Sequence, residues 1–250
     1  MVSTERMVVA PEILICGNGH LAQGLVEALQ SDFNVDRKGG LSQPSSEKVV
    51  VVNAEEFETD WCEANPELAF YRIAHYPAFF RQKYCPKNRF IQISTGCVWD
   101  GPFDHNHNGE AFGPDSPPNP QSVVGWARAF SEYLLMSLPS ARLTTILKPR
   151  LIYSDLLYFR ENTLAKFLKF KRLNQEPQSL TSVGTIAKTI KALVRGDLLF
   201  GWRNCVYDKG IVSPYEIAQD LCKAKLRGRP EIMSACDELN ASPRRVNVVM

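Results

Sequence analysis

Residues 11–30, PEILICGNGHLAQGLVEALQ, constrain the chain more than any other stretch. The apolar run Ile13 to Cys16 reads as a buried strand, Gly17-Asn18-Gly19 as a tight turn, and Leu21, Leu25, Ala28 and Leu29 recur at helical spacing. Gly17-Asn18-Gly19-His20-Leu21-Ala22 fits G-x-G-x-x-A after a strand and before a helix. In such a turn Gly17 permits the sharp bend, Gly19 lets the backbone approach a pyrophosphate, and Ala22 lets helix and strand pack closely. The diphosphate then sits at the positive N-terminus of the helix that begins around His20 and Leu21, and His20 itself either touches a cofactor phosphate or simply caps the helix. An acid at the expected distance, Asp36, suits the adenosine ribose. Arg37 and Lys38 suit a 2′-phosphate or a solvated strand end equally, so NADP and NAD both stay open.

The rest of the chain alternates in the same way. FNVDR is a short second strand, and VVVVNA (49–54) is a continuous apolar strand of the kind covered on both faces. The intervening KGGLSQPSSEK leaves room for only an abbreviated connection. ANPELAFYRIAHYPAFFRQKYC predicts a long helix leading to the strand RFIQIS, and SVVGWARAFSEYLLMSL a second leading to the strand LTTILKPRLIY. The expected fold is α/β, a Rossmann-type doubly wound parallel sheet with a small C-terminal substrate lobe. Residues 1–153 are assigned to the NAD(P)-binding domain and 154–250 to a smaller lobe interleaved with it. That second part holds the helices NTLAKFLKFKRL, VGTIAKTIKALV and SPYEIAQDLCKAKL and the strand NCVYDKG.

With 250 residues and 44% apolar content, the chain can bury a full core. Lys+Arg 29 against Asp+Glu 27 gives no field that would draw nucleic acid or an acidic membrane. No apolar run reaches the length of a membrane span, and the opening MVSTERMVVAPE lacks the basic start and apolar core of a secretion signal, so a cytoplasmic protein is expected. Seven scattered cysteines without a C-x-x-C pair read as reduced, mostly buried thiols.

VVVNAEEFETDWCEANPELAFYRIAHYP followed by FIQISTGCVWDG resembles the dTDP-4-dehydrorhamnose reductase family of the extended short-chain dehydrogenases/reductases. In that family an Asn-Ala strand end (here Asn53-Ala54), a Pro-Glu-Leu-Ala-Phe helix and a Ser-Thr-Asp-Tyr-Val-Phe-Asp-Gly turn follow in this order. The likeness continues through PNPQSVVGWARAFSE, SLTSVGTIAKTI and SPYEIAQDLC. It implies a nicotinamide cofactor, a nucleotide-sugar ligand and a catalytic set of Thr, Tyr and Lys. Thr95 matches the Thr, and Arg128 takes the Lys position and keeps its charge. Val124 takes the Tyr position and has no proton to give.

Other departures run in the same direction. The glycine turn is one residue short, Ile73 replaces an Asn, Gly96 replaces an Asp, an Arg-Pro has become Arg245-Val246, and the chain stops at Met250, before the family's final helix. A general acid is worth roughly 100- to 10,000-fold, so the expected outcome is a cofactor- and sugar-nucleotide-binding protein with reduction lost or weakened. The family has a precedent for a regulatory or partner subunit in the non-catalytic β subunit of methionine adenosyltransferase. The rival is an active reductase of a nucleotide-activated 4-keto-6-deoxy sugar using Thr95, Arg128 and water, with Ser122 and Tyr153 as improbable stand-ins for the acid. A protein partner and a homo-oligomer both stay open.

Several features are read as structural. His105 and His107 lack a third ligand at metal spacing and are assigned to a polar loop, and no metal is expected. Lys166, Lys169, Lys171 and Arg172 make a solvated helix face, or a diphosphate contact. Lys223, Lys225, Arg227 and Arg229 are assigned to the surface. Trp126 is expected in the core, with cover over a nicotinamide or sugar ring as the alternative.

Overall fold

The computed structural model describes residues 12–99, 112–159, 162–170, 172–173, 175, 178–208, 211–224 and 231–232. His105, His107, Lys171, Lys225, Arg227, Arg229, Cys236, Arg245 and Val246 lie outside them, as does the side chain of Arg172.

Strand β1 (Ile13–Cys16) leads through the glycine turn to α1 (His20–Leu29), followed by β2 (Val35–Lys38) and β3 (Val50–Asn53). The 39–49 connection is too short for a crossover helix, and it contains not even a single helical turn. Next come α2 (Thr59–Ala64) and one helical run made of α3 (Pro66–Phe70), a π-helical turn (Tyr71–His75) and α4 (Tyr76–Tyr84). Strand β4 (Phe90–Ile93), a 3₁₀ turn (Gly96–Val98), α5 (Val123–Ser137) and β5 (Thr144–Pro149) complete the first part.

The segment LTTILKPRLIY does not form one strand. It breaks at Leu151, whose φ is 43°, and continues as β6 (Ile152–Tyr153) in a separate two-stranded sheet. A left-handed leucine cannot extend a ladder, and the Arg150 amide there donates instead to Thr181 Oγ1 at 3.1 Å.

Beyond this point the chain divides. Helix α6 (Thr163–Lys169), β7 (Arg172–Leu173), β8 (Gln178–Ser179) and β9 (Thr181–Ser182) lead to α7 (Val183–Arg195) and β10 (Arg203–Val206), then β11 (Ile211–Val212), α8 (Pro214–Lys223) and β12 (Glu231–Ile232). Strands β7, β8, β11 and β12 pair off as short two-stranded sheets, and Phe167, Leu173, Tyr215 and Ala218 form a small core of their own. Helix α7 and β10 return to the main sheet, whose order is β10-β5-β4-β3-β1-β2 with every pairing parallel. The basic helix stops at Lys169, and its buried Phe167 and exposed Lys166 and Lys169 give the solvated face expected of it.

The apolar strands fill both sides of the sheet because successive side chains point to opposite faces. Ile13, Ile15, Val50 and Val52 pack with Leu25 and Leu29 of α1 and Ile186 and Ile190 of α7. Leu14, Cys16 and Val51 pack with Phe80 and Leu135 on the other face. Burial pushes the thiols of Cys16 and Cys205 up to about 12 and that of Cys85 up to about 11, so these three are neutral packing groups at physiological pH.

Candidate functional site

A cavity of about 170 Å³ lies beside the carboxyl ends of β3, β4 and β5, where ligands of open parallel sheets bind. Its wall combines His20 and Leu21 from the glycine turn, Glu55, Glu56 and Phe57 from the loop after β3, Thr95 and Cys97 from the turn after β4, and Val124 and Arg128 from α5. Asn53, Ala54 and Asp36 are not in the wall.

The glycine turn has the geometry its residue types require. Gly17 sits at φ +153°, and a Cβ there would stand 2.6 Å from the Ala54 carbonyl oxygen and 3.2 Å from Ala22 Cβ. A side chain is excluded at Gly17 for two independent reasons, backbone conformation and backbone crowding. Ala54 lies alongside because its amide donates to the Cys16 carbonyl at 2.8 Å. Asn53, 1% exposed, donates from Nδ2 to Gln92 Oε1 at 3.0 Å and accepts from the Glu55 amide at 3.3 Å. It sets the start of the Glu55–Phe57 loop.

Asp36 is the second residue of β2, in register with Leu14, while Lys38 stands opposite Cys16 and its carbonyl accepts from the Gly17 amide at 2.8 Å. The Asp36 carboxylate accepts from the Arg37 amide at 2.8 Å and pairs with Lys38 at 3.2 Å. Arg37 donates to Gln23 Oε1 at 2.7 Å.

On α5, Val124 and Arg128 stand one turn apart and both line the cavity. Val124 packs with Cys62, Ala69, Ile73 and Ala127. Val124 and Ile73, two of the positions where the resemblance leads one to expect a polar group, share one apolar cluster, and the π-helical turn carries Ile73 into it. Arg128 is 6% exposed; Nη1 donates to the Ile93 carbonyl at 3.1 Å, Nη2 to the Glu55 carbonyl at 2.6 Å, and the guanidinium lies 5.5 Å from the Phe57 ring centre. Burial lowers its pKa, and burial also raises that of Glu55 against the opposing pull of Arg128 and Arg72. Glu132, one turn further along, accepts from Ser94 Oγ at 2.6 Å and pairs with Lys148 at 3.0 Å, tying α5 to β4 and β5.

Thr95 Oγ1 accepts from the Cys97 amide at 3.1 Å and caps the 3₁₀ turn while lining the cavity. Cys97 Sγ, also in the wall, accepts from Arg150 Nη1 at 2.7 Å. Ser122 and Tyr153, the proton donors considered as alternatives, do not line the cavity. Ser122 is the N-cap of α5 and accepts from the Gly125 amide at 3.2 Å. Tyr153 is engaged by Asp208 and Ser182, and burial raises its pKa.

Trp126, expected in the core, is 54% exposed. The buried stripe of α5 is Val124, Ala127, Arg128, Ser131 and Leu135, and a residue two beyond Val124 points roughly 200° away from it. Glu55, Glu56, Phe57 and Cys97 are among the wall residues that sequence reasoning missed. The acidic pair directly after an apolar strand, NAEEFE, was the available signal.

Among the described residues no group of three His, Cys, Asp or Glu is arranged to hold a metal, and no helix is long and apolar enough to cross a membrane. The residues fit a dinucleotide in one respect and oppose it in another: the glycine cradle a Cβ would fill is present, and a carboxylate, Glu56, stands at its mouth.

No protein-family model and no curated protein sequence matches the chain. Solved structures do. The dTDP-4-dehydrorhamnose reductase from Bacillus anthracis in complex with NADP superposes with a TM-score of 0.78 at 16% identity, over 97% of this chain and 91% of that one. A dTDP-4-dehydrorhamnose reductase from Clostridium acetobutylicum gives 0.73 at 20% identity, over 95% and 89%. The UDP-rhamnose synthase from Acanthamoeba polyphaga mimivirus gives 0.73 at 18% identity, over 96% and 91%. The chain therefore has, along almost its whole length, the fold of the dTDP-4-dehydrorhamnose reductases and related nucleotide-sugar enzymes.

Proposed function

We propose that this protein binds a nicotinamide dinucleotide, NADP or NAD, together with a nucleotide-sugar ligand, and that it lacks the standard ketone-reducing activity, serving as a regulatory or partner subunit. The observation that carries this reading is the apolar environment of Val124. The Tyr position is not an isolated loss, because Ile73 and Val124 pack together where a general acid and a polar neighbour are expected from the resemblance. Arg128, in the Lys position, spends two donors on the backbone carbonyls of Ile93 and Glu55.

On the binding side, Gly17, Gly19, His20 and Leu21 would face the diphosphate, with Ala22 keeping helix and strand close behind them, and Asp36, Arg37 and Lys38 would face the adenosine end. Asn53 and Ala54 would shape the floor, and Thr95 and Arg128 would flank the nicotinamide end. A bound nicotinamide would supply hydride to a ketone, and among the described residues the cavity wall offers no Tyr hydroxyl to complete that reduction with a proton. Two relatives in fold were solved with such a cofactor, NADP in the Bacillus anthracis reductase and NAD in the Thermus thermophilus UDP-glucose 4-epimerase.

The test is a calorimetric titration with NADPH and NADH, repeated with a 4-keto-6-deoxy sugar nucleotide while the nicotinamide absorbance is followed. Binding with a stable absorbance band is the expected result. Loss of the band at an enzymatic rate overturns the non-catalytic reading.

A further inference from the structure

The anion seat at the start of α1 is filled from within the molecule. Gly19 caps this ten-residue helix without a side chain, and the first turn has no acid of its own. The carboxylate that stands there comes from Glu56, on the loop after β3. Its Oε2 accepts from the Leu21 amide at 3.0 Å, and its Oε1 lies 2.8 Å from His20 Nδ1 without hydrogen-bond alignment. The same carboxylate occupies the space a Cβ on Gly19 would take. Glycine at this position thus makes room for a glutamate of the same chain, in the place where the sequence pattern reserves room for a pyrophosphate.

A second observation shows that the seat is built for more than a cap. His20 is 1% exposed, lines the same cavity, and its Nε2 has no hydrogen-bond partner. A buried imidazole nitrogen without a partner costs free energy unless a ligand or water meets it. The helix terminus concentrates partial positive charge over its first turn only, so a carboxylate and a diphosphate cannot both use it.

We infer that Glu56 is the residue that decides ligand entry: its carboxylate holds the seat of the dinucleotide's diphosphate, and a diphosphate binds only when that carboxylate leaves. The inference rests on the dinucleotide-binding reading for the identity of the ligand, but its own content is the competition between two anions at one helix end. Glu56 is suited to this because it sits on a loop, between β3 and α2, and its side chain is 19% exposed.

The experiment is calorimetry on the full chain with three probes, NADPH, NADH and inorganic pyrophosphate, for the wild type, Glu56→Gln and Glu56→Ala. Glu56→Ala is expected to bind NADPH and pyrophosphate about tenfold more tightly, the scale of one charge at a helix terminus. Glu56→Gln keeps an acceptor for the Leu21 amide but drops the charge, and its affinity falls between the two. A thermal melt of each variant accompanies the titrations, and if Glu56→Ala does not fold, Glu56→Gln decides alone. Unchanged or weaker affinity for both probes in every folded variant overturns the inference. Equal NADPH affinity in all three proteins also overturns it, while leaving the dinucleotide reading in place. Pyrophosphate binding that tightens on substitution, with no dinucleotide bound by any variant, upholds the competition at the seat and removes the dinucleotide reading instead.

Discussion

The start of α1, just after the glycine turn, and the start of α5 border one cavity, and they differ from the chemistry expected of them in opposite ways. At the turn the backbone is intact: Gly17 keeps its φ of +153° and its close approach to Ala54, and α1 begins where an anion seat should be. What differs there is a side chain added from outside, Glu56. At α5 the helix and its Ser122 cap are formed, and the side chains it sends to the cavity are Val124 and Arg128. Val124 and Ile73 join an apolar cluster, and Arg128 is tied to main-chain carbonyls. The contrast teaches that a glycine cradle is held by backbone crowding whether or not a ligand uses it, whereas a side chain that faces a cavity is under no such packing requirement.

Three substitutions probe this contrast, in descending order of effect. Gly17→Ala combines a forbidden backbone conformation with a clash against Ala54, and should cost roughly 4 kcal/mol of stability by urea denaturation. A cost below about 1 kcal/mol would mean that the turn relaxes freely and that its geometry is not a packing requirement. Arg128→Ala takes a donor from the Glu55 carbonyl and one of two donors from the Ile93 carbonyl, which keeps Gln92 Nε2, and opens a void beside Phe57, so it should cost roughly 3 kcal/mol. If Arg128→Ala is instead near neutral in stability while abolishing dinucleotide binding, the guanidinium serves ligand rather than fold, and the two ends of the cavity are more alike than proposed. Val124→Tyr forces a phenol into the cluster with Ile73 and Cys62 and should cost roughly 2 kcal/mol. It should leave keto-sugar-nucleotide turnover at the wild-type level, because the surroundings of the hydroxyl are not restored with it. A gain of about 100-fold or more, the size of a general-acid effect, would show that one missing group had been the whole defect.

How much was legible before any coordinates depends on the range of the forces involved. The central strands were readable because burial on both faces demands a continuous apolar run, as in VVVVNA. The glycine turn was readable because its constraint is local. The long helix 64–85 was readable in outline, but the π-helical turn that carries Ile73 toward Val124 was not. The break at Leu151 was not readable either, since β6 forms by pairing with Thr181 and Ser182, about thirty residues away. Trp126 was misplaced because a helix sequence with apolar residues on several sides does not say which stripe faces the sheet; the packing of Val124, Ala127 and Leu135 settles that.

The sequence by itself determined an α/β chain with a parallel sheet and a glycine turn opening α1, because each of these follows from residue type at short range. Only the tertiary structure decided that Glu56 stands at the N-terminus of α1, 35 residues from the Leu21 amide it accepts from, that α7 and β10 return to the main sheet, and that Arg128 is engaged by carbonyls. Those outcomes depend on which loops meet at the carboxyl edge of the sheet. Strand order sets that meeting, and strand order is fixed by long-range pairing rather than by any local propensity.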